Sequence, residues 1–116
     1  AQAVLTSEDT IKNKPEVARG FVQATLHGLK DVMTDPEGSA KLLAESIPQY
    51  AGKEAFLLEV MNRYNTLVYA VDDMSTLGTF DEARMEAVAK FYLDAGLVAS
   101  VEPATDYFSN DFVTAD

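Results

Sequence analysis

The sequence predicts a mainly α fold, a four- to five-helix orthogonal bundle with one short strand at its amino terminus. Three observations predict it. Four separate stretches repeat apolar residues at helical spacing. Acids stand at helix-starting positions before two of the stretches, at Asp35 and Asp81. Only Val4–Ser7 has the character of a strand, and one strand cannot pair with itself. The chain reads as a single helical domain over residues 1–116, with an extended tail over 97–116.

Val4 and Leu5 form the extended segment, and Thr6 or Ser7 can cap the helix after it. Residues 8–13 allow a helical turn or two before Pro15, because the residue preceding a proline avoids the helical region. Pro15 then opens the next helix, where its missing N–H costs nothing. From Glu16 to about Thr34, Val17, Ala18, Phe21, Val22, Thr25, Leu26, Leu29, Val32 and Met33 make a wide apolar stripe. Gly20 and Gly28 each cost this helix up to about 1 kcal/mol relative to alanine, which close packing against a neighbour would offset.

Asp35-Pro36-Glu37 is a second start: a capping acid, proline at the first helical position, and an acid facing the helix dipole. Ala40, Leu43, Ala44 and Ile47 point inward from this helix, and Pro48 stops it. After Gly52 a third long helix is expected from about Lys53 to Val71, with Phe56, Leu57, Val60, Met61, Tyr64, Leu67, Val68 and Val71 on one side. A polar loop over 72–80 leads to Asp81 and a fourth long helix. Met85, Val88, Ala89, Tyr92 and Leu93 share one side of it, and Glu82, Glu86 and Lys90 lie on the other, with an attractive Glu86–Lys90 spacing. Gly96 is a C-terminal stop, and Leu97 folds back on the last turn. The tail mixes Val101, Tyr107, Phe108, Phe112 and Val113 with acids, and a helical turn is expected near Asp106.

The chain has 116 residues, 47% of them hydrophobic, enough for a packed core. Nine basic residues against 19 acids give a formal charge of −10. That sign repels phosphate backbones and anionic lipid, which argues against nucleic-acid and membrane-surface partners. Without cysteine, no disulfide, thiolate chemistry or cysteine-based zinc site is available. No run reaches the roughly 18 apolar residues of a spanning helix. The first residues show no basic-then-apolar leader pattern, so no signal peptide is expected within this chain.

The residues offer little chemistry. His27 is the single histidine, at the edge of a polar helix face with Asp31 four residues on, and it reads as structural. Asp72-Asp73 lacks the alternating acid pattern of a calcium loop and reads as a solvated helix end. Gly20, Gly28 and Gly38 fit no phosphate-binding pattern, and no serine stands in a nucleophile elbow. No catalytic residue, metal ligand or cofactor site is expected, and the ligand-binding residues are unknown.

A resemblance adds what the site search does not. Val4-Leu5-Thr6-Ser7, Ile11, Pro15-Glu16-Val17, Phe21, Ala24, Gly28 and Pro36-Glu37 with Ala40 resemble a helical segment of the ABC-transporter solute-binding proteins for nitrate, sulfonate, taurine and thiamine-pyrimidine precursors. That family lies within the type II periplasmic binding superfamily, as do the yeast-type pyrimidine-precursor synthases. Phe80-Asp81, Met85, Val88, Phe91, Leu93, Gly96-Leu97-Val98 and the run Asp106 to Val113 are similar to the family's C-terminal end, in the same order. Leu29 departs from the tryptophan common there. The resemblance covers nearly all of this chain but only about the last third of such a protein.

It implies a fragment of a larger two-lobe α/β fold whose parent is periplasmic, captures a small nutrient by lobe closure and delivers it to a membrane permease. The loops that make most ligand contacts would lie upstream of Ala1, so no binding residue is carried over. Two other readings stand beside it: a free-standing α-helical interaction module, and a fragment of a pyrimidine-precursor synthase, whose cysteine-rich motif and reactive histidine have no counterpart in this sequence. A homodimer is expected through Val4 and Leu5 as an unpaired strand edge, together with the tail aromatics Tyr107, Phe108 and Phe112.

Overall fold

The computed structural model describes residues 3–113. It contains five α-helices among the described residues: α1 (Glu8–Asn13), α2 (Pro15–Thr34), α3 (Pro36–Ser46), α4 (Glu54–Leu67) and α5 (Glu82–Asp94). Single 3-10 turns lie at Pro48–Tyr50, Met74–Thr76 and Ala104–Asp106. The mainly α class predicted from sequence is borne out. The described residues contain no strand, and this corrects the expectation at Val4–Ser7. A strand exists through its ladder, and no described segment offers Val4 and Leu5 a partner. Both lie exposed in irregular chain, Leu5 at 89%.

The backbone falls into two compact units, Ala1–Leu77 and Gly78–Asp116. In the first, each helix starts on local chemistry. The Ser7 hydroxyl accepts from the Thr10 N–H at 3.2 Å and opens α1. Pro15 opens α2 after Lys14, as its fixed φ and missing donor allow. The Asp35 carboxylate accepts from the Gly38 N–H at 2.9 Å and opens α3. A Cβ at position 38 would meet that carboxylate where it stands, so a larger residue there would make the Asp35 side chain shift. Ile47, before Pro48, is extended and ends α3.

The core of this unit lies between α3 and α4. Ala40 and Ala44, one turn apart on α3, and Leu57 on α4 are buried, with Leu43, Tyr50, Leu58 and Met61 packed around them. Alanine at two successive inward positions lets the helices approach closely, as ridge-and-groove packing requires. α4 ends at Leu67 rather than near Val71 as the sequence suggested. The last turn widens there: the N–H groups of Val68 and Tyr69 both donate to the Tyr64 carbonyl at 2.9 Å. The Tyr64 and Tyr69 rings then sit 5.6 Å apart, a contact a continuing helix would break.

In the second unit the Asp81 carboxylate accepts from the Arg84 N–H at 3.1 Å and opens α5. The helix closes with a Schellman motif, Gly96 taking φ +69° while its N–H reaches the Leu93 carbonyl and that of Leu97 reaches Tyr92. Lys90 pairs with Asp94 at 2.8 Å rather than with Glu86; on an exposed face neither partner is strongly preferred. The segment after α5 returns along the unit, and Ala104 in its 3-10 turn is 3% exposed. Residues 114–116 of the predicted tail lie outside the described residues.

Candidate functional site

Within each unit, side chains replace missing backbone partners. The Val32 carbonyl, near the end of α2, would accept from residue 36, but Pro36 has no N–H. Asn65 on α4 supplies the donor: its Nδ2 reaches that carbonyl at 2.9 Å across 33 residues of sequence. In the second unit Asn110 grips one peptide residue from both sides. Its Oδ1 accepts from the Phe80 N–H at 2.9 Å, and its Nδ2 donates to the Phe80 carbonyl at 3.0 Å. The Phe80 and Phe108 rings stand 5.2 Å apart, tilted by 40°, beside this clamp. The Tyr107 hydroxyl accepts from the Glu102 N–H at 2.6 Å and fixes the turn leading to it.

The residues considered for chemistry fall apart in space. His27 is exposed on α2. Asp73 uses its carboxylate locally, accepting from the Ser75 N–H at 2.8 Å at the Met74–Thr76 turn. That backbone hydrogen bond, helped by the Ser75 hydroxyl, holds its carboxyl below the ordinary aspartate range. Among the described residues no group of three His, Asp or Glu side chains could hold a metal ion. A shallow open groove of about 550 Å³ runs along α4, lined by Ala55, Leu58, Asn62, Thr66 and Leu67 with the Glu59–Arg63 ion pair. That pair is closed on itself at 2.6 Å, so the groove presents no free polar group from it for catalysis.

What the molecule presents instead is apolar surface. Phe21, Leu42, Phe56, Leu67, Phe91 and Leu97 are each between 58% and 79% exposed. Of the aromatics expected to drive pairing, Phe108 and Phe112 are half-buried and Tyr107 is 54% exposed. Sequence reasoning missed Asn65, although Pro36 signals that the Val32 carbonyl lacks its usual donor. It placed Asn110 within a motif without seeing its partner.

The two motifs similar to a family C-terminal end, around Phe80 and around Asn110, are thus bonded to each other. Comparison with known proteins points the same way. Residues 1–39 match the family described as NMT1/THI5 like. Nearly the whole chain aligns with the riboflavin-binding protein RibY of Chloroflexus aurantiacus, 27% identical over 117 residues and 97% of this chain. The chain is thus similar to the NMT1/THI5-like family over its first third and to a binding protein over nearly its whole length. It spans 33% of the length of RibY. No solved structure matches it. The relative's name is that of a binding protein, and no helix of the described residues is long and apolar enough to cross a membrane.

Proposed function

We propose that this chain is the helical C-terminal portion of a solute-binding protein that captures a small organic nutrient for ABC transport. The collinear match to RibY over 97% of the chain carries this reading, because both motif groups fall within it. The parent is then periplasmic, and its partners are a small-molecule ligand and a membrane permease. The ligand class includes riboflavin, from the relative's name, beside the thiamine precursors, sulfonates, taurine and nitrate that the family resemblance implies. The chain's own contribution is scaffolding, since its polar side chains are spent on caps and clamps. The exposed apolar side chains of both units fit a part that rests against further protein, and they equally favour an interaction module as the second reading.

The test is a chimera in which this chain replaces the matching third of RibY. Riboflavin, whose fluorescence reports binding directly, should still bind the chimera and should not bind this chain alone. A folded chimera that binds no riboflavin would refute a shared scaffold, and micromolar binding by the chain alone would place a complete site within it. The sequence suggests self-association through Val4, Leu5 and the tail aromatics. With no strand formed and Phe108 turned onto Phe80, those contacts reduce to Leu5, Val4 and Tyr107.

A further inference from the structure

We draw no further inference here: the strongest candidate, the open apolar face of α2 on which Val17 and Phe21 stand exposed beside Gly20, Ala24 and Gly28, carries nothing because nothing in the structure shows what covers it.

Discussion

The two units solve the same problem with different means. The first, residues 1–77, buries Ala18, Leu26, Ala40, Ala44 and Leu57 between helices and adds one cross-helix amide bond, from Asn65. The second, residues 78–116, buries Ala104 alone among its described residues and relies on the Asn110 clamp, the Phe80–Phe108 pair and the Tyr107 hydroxyl. A chain of about 40 residues cannot enclose enough apolar surface to fold on burial alone. Directed polar contacts substitute for the missing core. They fix geometry well, but each contributes only about 1 kcal/mol net.

If burial carries the first unit, its centre should be its weakest point to truncation. Leu57→Ala should cost about 2–5 kcal/mol, read as a lower urea midpoint for the loss of α3 and α4 helicity. A cost below about 1 kcal/mol would mean that the alanine-lined contact is not the core of the unit. The two asparagines sharpen the contrast. Asn110→Ala leaves both polar groups of Phe80 without their partner, and Asn65→Ala leaves one carbonyl, each group costing about 1–3 kcal/mol where water cannot replace it. Amide hydrogen exchange should show Asn110→Ala opening the start of α5 and the 104–113 segment together. Asn65→Ala should fray only the end of α2. Equal, local fraying in both would remove the distinction between the units.

The elements legible in the sequence are those whose cause is local. Ser7, Asp35 and Asp81 cap the helices they were expected to cap, and Gly96 with Leu97 closes α5, because donor and acceptor lie within a few residues. What failed depends on distance. Val4 and Leu5 have strand composition, but a ladder needs a partner that local pattern cannot supply. The end of α4 was set four residues too late, since Val68 and Val71 continue the apolar stripe while the Tyr64–Tyr69 contact turns the backbone away. The clamps of Asn65 and Asn110 span 33 and 30 residues, and an asparagine looks the same in a sequence whether it faces water or a peptide group. The similarity to a solute-binding relative is legible in ordered motifs, while no ligand residue is legible because no constellation of polar side chains among the described residues marks one.

The smallest expected effect lies at the end of the first unit, where Asp73 organises the Met74–Thr76 turn. Its carboxylate accepts the Ser75 N–H, a bond available to the ionised form, so its pKa in the folded chain lies below the ordinary value of 3.8. A depressed carboxylate stabilises the folded state above the unfolded pKa and loses that contribution as pH falls through the folded one. The turn should therefore hold unchanged from neutral pH down to the ordinary carboxylate range and loosen only below it. Because the side chain is exposed, the contribution is small and sensitive to salt. The Ser75 amide, followed by NMR through an acid titration, should shift with a midpoint below that of a free aspartate, and Asp73→Asn should remove the shift. A midpoint at or above the ordinary value would show that the turn is held by the Thr76 hydroxyl on the Asp73 carbonyl, at 2.7 Å, rather than by the carboxylate.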